Sequence, residues 1–149
     1  MKVLIAPNAY RDCLRAKDVA MAMAQGIGQS YPKSEIIISP MSDGGDGLLD
    51  VLEGQFDVKV ESGIVFNAIG ENIEARYLLS SDNKIAFIEM AEASGLRRIQ
   101  SKKLDIWNSS TFGTGQQIVS AVDKGVEKIF LGVGGSATFD AGAGALVAL

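Results

Sequence analysis

Glu35-Ile36-Ile37-Ile38-Ser39-Pro40-Met41-Ser42-Asp43-Gly44-Gly45-Asp46-Gly47 is the stretch that decides the fold. Consecutive β-branched apolar residues, with no polar alternation, specify a strand buried on both faces. Pro40 ends that strand, and the glycines and acids behind it form a loop. Asp46 to Glu53 then reads as a short helix, with Gly54 suited to the C′ position. Upstream, Val3-Leu4-Ile5-Ala6-Pro7 repeats the pattern of an apolar strand closed by proline. Between the two strands, Val19, Met23 and Ile27 recur at helical spacing beside Ala16, Ala20 and Ala24. The spacing predicts a helix over 16–29, near whose end lies Gly28. The first third is therefore strand–helix–strand–helix, the order of a parallel α/β sheet.

Downstream the period changes. Phe56, Val58 and Val60 alternate with polar residues, as do Ile73, Ala75, Tyr77 and Leu79, and Ile85 to Met90 forms a third run. Turn residues separate them at Gly70-Glu71-Asn72 and Ser81-Asp82-Asn83. The expectation is an antiparallel meander with one wet face. After Gly95 the α/β order returns: a helix from Thr114 to Lys124, Gly125 at its C′ position, a strand from Lys128 to Val133, and a last helical run, Ala145 to Leu149.

Composition narrows the chemistry. The chain has 149 residues, 47% hydrophobic and 21% charged, which suits one globular core rather than disorder. A net charge of −4 argues against nucleic acid, which needs surplus Lys and Arg. A single cysteine, Cys13, excludes an internal disulfide, and the absence of histidine excludes His-based triads and His-metal sites. Acid–base work falls to carboxylates, Lys or Tyr. No signal peptide and no membrane-spanning run is visible, so a cytoplasmic location without membrane partners is expected.

Three glycine-rich loops remain as chemistry. In Ser42 to Gly47, Asp43 and Asp46 can bind Mg²⁺ or accept a proton, and the following helix N-terminus offers N–H groups to an anion. Asp-Gly is also ordinary turn chemistry and Asp46 suits an N-cap. Two acids among three glycines at the carboxyl end of a strand favour function, because open α/β sheets bind ligands there. In Ser109-Ser110-Thr111-Phe112-Gly113-Thr114-Gly115, hydroxyls open a helix, which serves either a phosphate or simple capping. In Gly132 to Gly144 the glycines are too dense for a mere turn. Gly132, Gly134 and Ala137 fit a G-x-G-x-x-A dinucleotide fingerprint, but no P-loop motif is present. Gly134-Gly135-Ser136-Ala137-Thr138 is expected to contact an anion. Arg11, in the loop after the first strand, suits a bidentate contact to carboxylate or phosphate, or plain solvent. Glu89 and Glu92 read as solvated surface charge, although Glu89 falls inside an apolar run.

Taken in order, these segments resemble the bacterial glycerate kinase family. Ala6-Pro7-Asn8-Ala9-Tyr10-Arg11 is similar to its A-P-D-S-F-K, and Pro40 to Gly47 to P-M-A-D-G-G-E-G. Ile88 to Leu96 resembles I-E-M-A-x-A-S-G-L, Ser110 to Gly115 T-S-Y-G-T-G, and Gly132 to Gly144 G-L-G-G-S-A-T-N-D-G-G-A-G. The resemblance implies ATP-dependent phosphorylation of D-glycerate with Mg²⁺, in a cleft between a Rossmann-like α/β domain and a second α/β lobe. On that basis residues 1–55 belong to the first domain and 56–149, meander included, to the second. The implied catalytic residues are Asp43, Arg11 and Asp140. Gly44, Gly45, Gly113, Thr114, Gly115, Gly134, Gly135, Ser136 and Thr138 would bind substrate or phosphate, and Asp43 and Asp46 the metal.

The sequence departs from the family pattern at Asn8, Ala9, Arg11, Phe139 and Ala141. Family members continue well beyond this length, so the chain is expected to be an N-terminal part. Core surface would be left for another element to cover. Alone, such a chain should self-associate and show little or no kinase activity. A dinucleotide-binding module and an inactive remnant are the competing readings.

Overall fold

The computed structural model describes residues 1–10, 13–100, 103 and 105–149. The chain is mixed α/β. Strands β1 (Lys2–Ile5) and β2 (Glu35–Ile38) pair in parallel, Lys2 opposite Glu35 and Ile5 opposite Ile38, joined by helix α1 (Ala16–Ser30). Helix α2 (Leu48–Gln55) follows the acidic loop. Gly54 lies inside α2 rather than beyond it, because the helix runs on to Gln55 and ends at Phe56.

A second sheet has the order β3 (Val58–Phe66), β4 (Asn72–Ser80), β5 (Ile85–Glu89), β6 (Lys128–Gly132). The first three strands form the expected antiparallel meander. Strand β6 then adds in parallel to β5, Ile85 opposite Lys128 and Glu89 opposite Gly132. The connection carries helix α3 (Met90–Ser94), a 3-10 turn (Leu96–Arg98) and helix α4 (Phe112–Asp123); helix α5 (Ala143–Ala148) closes the chain.

The core sits where α4 covers one face of this sheet. Tyr77 and Leu79 of β4, Ala86 and Ile88 of β5 and Ala121 of α4 bury together, with Ile118, Val126 and Ile129 at the margin. Alternation along β4 and β5 explains which residues these are. The opposite face is not wholly wet, as the pattern had suggested: Leu78 is fully buried, and Arg76 meets Asp50 and Glu53 of α2. So α2, itself preceded by the acidic loop, lies against this sheet.

The strands read as buried on both faces are not. Leu4 is 64% exposed and Phe130 50%, and Ile37, Ile38 and Leu131 are exposed as well. Phe130 stacks on Phe87 of the neighbouring β5 with ring centroids 5.5 Å apart, yet these side chains remain exposed, whereas a parallel sheet of this composition needs cover on both faces.

Candidate active site

The loop after β2 folds on itself. The Ser42 hydroxyl accepts the Gly44 N–H at 3.1 Å, and Asp43 Oδ1 accepts the Gly45 N–H at 3.1 Å. Gly47 stands at the N-cap of α2 with φ 90°, a conformation that disfavours side chains. A helix start leaves N–H groups unpaired, and the sequence left them for a ligand anion. In the structure a resident carboxylate takes them: Glu89, at the end of β5, accepts Gly47 N–H on Oε1 at 3.0 Å and Leu49 N–H on Oε2 at 3.1 Å. Asp46 is therefore not the cap. Nor is Glu89 a surface charge, being 0% exposed.

Arg97, on the 3-10 turn, joins the two acids. Its Nη2 donates to Glu89 Oε1 at 3.2 Å, and its Nε lies 2.8 Å from Asp46 Oδ1. Burial pushes the Glu89 carboxyl above its ordinary range, against the pull of its two backbone donors and Arg97. Burial disfavours the Arg97 cation, but Asp46, Glu89 and Glu92 outweigh it and hold its pKa high. Glu92, also buried rather than solvated, pairs with Arg98.

The glycine-rich loop after β6 packs against the acidic loop, backbone to backbone. Gly134 N–H donates to the Gly44 carbonyl at 3.0 Å. A Cβ on Gly134 would sit 2.5 Å from Gly45 Cα, and one on Gly132 2.6 Å from the Gly44 oxygen. On its other side the loop pairs with the end of α3 and the turn behind it: Leu96 N–H reaches the Gly135 carbonyl at 3.1 Å and Ala137 N–H the Ser94 carbonyl at 2.9 Å. Ser136 and Thr138 share a hydroxyl contact at 2.7 Å. The dinucleotide fingerprint is not realised: that turn must open directly into a helix, whereas α5 starts only at Ala143 and Gly134 N–H is spent on Gly44.

The hydroxyl-rich loop and Asp140 form a separate cluster. Asp140 Oδ2 accepts Thr111 N–H at 2.8 Å, Thr111 Oγ1 at 2.9 Å and Gly144 N–H at 3.0 Å, and its Oδ1 accepts Gly142 N–H at 3.1 Å. Burial works against the charged form, yet these donors prevail and hold the Asp140 carboxyl below its ordinary value. Gly113 and Gly115 are buried; a Cβ on Gly115 would lie 2.5 Å from the Ala145 carbonyl, so it permits α4 and α5 to touch. Thr114 hydrogen-bonds Ser94 at 2.8 Å in the interior.

A cleft of about 1200 Å³ gathers Asp43, Asp46, Arg97 and Gly134 to Ser136, together with Asn8 and Tyr10 from the loop after β1. It does not include Asp140, Gly113, Thr114 or Gly115. Arg11 lies outside the described residues. Arg97 and Glu89 are the residues that sequence reasoning missed, and the acid inside the apolar run Ile85–Met90 was the available signal. Among the described residues no group of three or more acids or cysteines converges as a metal site. Asp43 is exposed at the cleft, whereas Asp46 Oδ1 is engaged by Arg97, so Asp43 is the better fitted of the two to a cation.

These features define an α/β protein whose cleft is built from loops at the carboxyl ends of β1, β2, β5 and β6. Residues 3–149 match the Glycerate kinase family, and the chain belongs to that family. It is 44% identical over 149 residues to a glycerate kinase of Bacillus cereus (strain ATCC 10987 / NRS 248), covering 100% of this chain and 39% of that protein. It is 38% identical to the glycerate 2-kinase of Escherichia coli (strain K12), again covering 100% and 39%. A crystal structure of a Salmonella typhimurium LT2 protein described as a glycerate kinase 2 superposes with a TM-score of 0.79 at 40% identity. That match covers 100% of this chain and 40% of the other. The chain thus spans about two fifths of the length of these relatives. No helix of the described residues is long and apolar enough to cross a membrane.

Proposed function

We propose that this chain supplies one wall of the cleft in which a glycerate kinase transfers the γ-phosphoryl group of ATP to a hydroxyl of D-glycerate. The observation that carries this reading is the convergence of the Asp43 loop and the Gly134–Ser136 loop on one cleft, fastened by the Gly134–Gly44 hydrogen bond. Phosphoryl transfer asks for positioning and charge stabilisation more than for a reactive side chain, which a histidine-free site can supply. Asp43 orients the glycerate hydroxyl or holds Mg²⁺, with Asp46 the second candidate ligand. When bound, the metal neutralises phosphate charge. Gly44, Gly45, Gly135, Ser136 and Thr138 flank the place for a phosphate or the glycerate carboxylate, with Arg11 as a further anion contact. The new hydroxyl-to-phosphorus bond forms as the bond to the ADP oxygen breaks, and the hydroxyl proton leaves toward Asp43 or solvent. Asp140 supports this site from outside the cleft. Residues 1–55 and 56–149 are assigned to two lobes of the complete enzyme, the β1–β2 pair to its Rossmann-like sheet.

The test is glycerate-dependent ADP release, measured on this chain and on the chain completed with the region of the Bacillus cereus relative beyond the match. The completed protein should turn over, and Asp43→Asn should lower its kcat by more than about tenfold, a loss above roughly 1.4 kcal/mol. Activity that survives within that factor removes Asp43 from the reaction.

The exposed apolar residues of β1, β2 and β6, with Leu146 and Val147 of α5, favour a second reading in which the isolated chain self-associates and is inactive. Sedimentation equilibrium decides it: a monomer at high concentration rules it out.

A further inference from the structure

We propose that Glu89 is a positioning residue of this cleft, locking the acidic loop through the first turn of α2 and through Arg97. The inference rests on the kinase reading for the meaning of that loop, though not for its own test. A buried carboxylate is costly unless its oxygens are fully engaged, and Glu89 is 0% exposed. Its two oxygens take the amides of Gly47 and Leu49, from a strand 40 or more residues further along the chain. An ordinary cap would come from the helix's own N-cap residue, but that residue is Gly47 and no local side chain serves. The long-range cap therefore does what a local one cannot: it fastens the downstream end of Ser42–Gly47 to the end of β5. The upstream part is fastened to the glycine-rich loop by Gly134 and Gly44.

The same carboxylate holds Arg97, and Arg97 holds Asp46 at 2.8 Å. Loop backbone and loop side chain are thus referred to one atom group. Glu89 is not among the residues lining the cleft, so it acts through others. The charged groups that face it are Arg97, Glu92 and, through Arg97, Asp46.

Residue-resolved amide exchange on the 149-residue chain tests this against Glu89→Gln, which keeps the volume but replaces an acceptor oxygen by a donor. Gly47 and Leu49 should exchange at least about tenfold faster, with Gly44 to Asp46 following, while the β3–β4 hairpin stays within about twofold. Unchanged exchange at Gly47 and Leu49 overturns the proposal, and so does equal acceleration throughout the hairpin, which would make Glu89 a general stabiliser. If Glu89→Gln does not fold, Arg97→Gln at its half-exposed position replaces it. That variant should speed exchange at Asp46 and Gly47 without touching the hairpin, and its failure to do so overturns the idea equally. Mg·ATP and D-glycerate are titrated separately into the unsubstituted chain and the variant. Weaker binding in Glu89→Gln, with the hairpin protected, supports positioning. A silent unsubstituted chain leaves the kinase reading to the turnover of the completed protein, while the exchange comparison, needing no ligand, decides the role of Glu89.

Discussion

Gly134→Ala isolates the packing of one loop on the other. The added Cβ would lie 2.5 Å from Gly45 Cα and 2.8 Å from Gly45 N, both backbone atoms that no side-chain rotation can clear. The loops must separate, and the Gly134 N–H to Gly44 O bond of 3.0 Å lengthens or breaks with them. Overpacking of this kind costs about 1–3 kcal/mol, and a lost hydrogen bond adds about 0.5–1.5 kcal/mol. A loss of about 2–4 kcal/mol is expected, which for a chain of this size lowers Tm by roughly 4–16 °C. Urea unfolding followed by circular dichroism reads it as a lower midpoint at unchanged slope. A variant within about 0.5 kcal/mol of the parent would refute the reasoning, since surface glycines away from such contacts change stability by no more than that.

The same exchange at Gly28, inside α1 with nothing within 4 Å of a Cβ, should stabilise by about 0.4–1 kcal/mol, read in the same unfolding experiment. Asp140→Asn should destabilise by about 1–2 kcal/mol at neutral pH, because a charged acceptor of several donors becomes a weaker one on a half-buried site. The Asp140 carboxyl is held below its ordinary value of 3.8, so its contribution is complete above that value and lost as pH falls through the lowered folded-state pKa. The stability gap between parent and Asp140→Asn should therefore hold steady from about pH 7 to about pH 5 and narrow as pH falls below about 4, and a gap that widens there would contradict the assignment.

Local pattern carried much of the fold. The apolar runs closed by proline became β1 and β2 and the four-residue spacing became α1, within a residue or two at their ends; the alternating stretches became the meander, though β3 runs on to Phe66, six residues past the alternation that ended at Val60. Gly125 stands just past α4 with φ 82°, where the C′ reading put it. What the sequence withheld is non-local. Nothing in Ile85–Glu89 or Lys128–Gly132 states that they pair in parallel and so join the meander to the later α/β unit. Gly54 was misread by a small margin: α2 runs on to Gln55 with its C-cap at Phe56, within the residue or two by which helix ends vary.

The site was legible in its residues but not in their division of labour. Dense glycines suggested a backbone that approaches a ligand, yet Gly132 and Gly134 are explained by the approach of one loop to another. Acids suggested a cleft, yet Glu89, the most deeply buried of them, faces the protein's own helix. An acid in an apolar strand has few stable outcomes, because burial without partners is prohibitive. The position of Glu89 between Ile88 and Met90 therefore already implied a dedicated set of donors, and only the fold could say which. The Gly134 N–H is committed to the Gly44 carbonyl and is not offered to the cleft. The Asp43 carboxylate, the Ser136 hydroxyl and the Arg97 guanidinium are among the side chains that line it. On the proposed kinase reading, these side chains are the first candidates for substrate discrimination by this wall of the cleft.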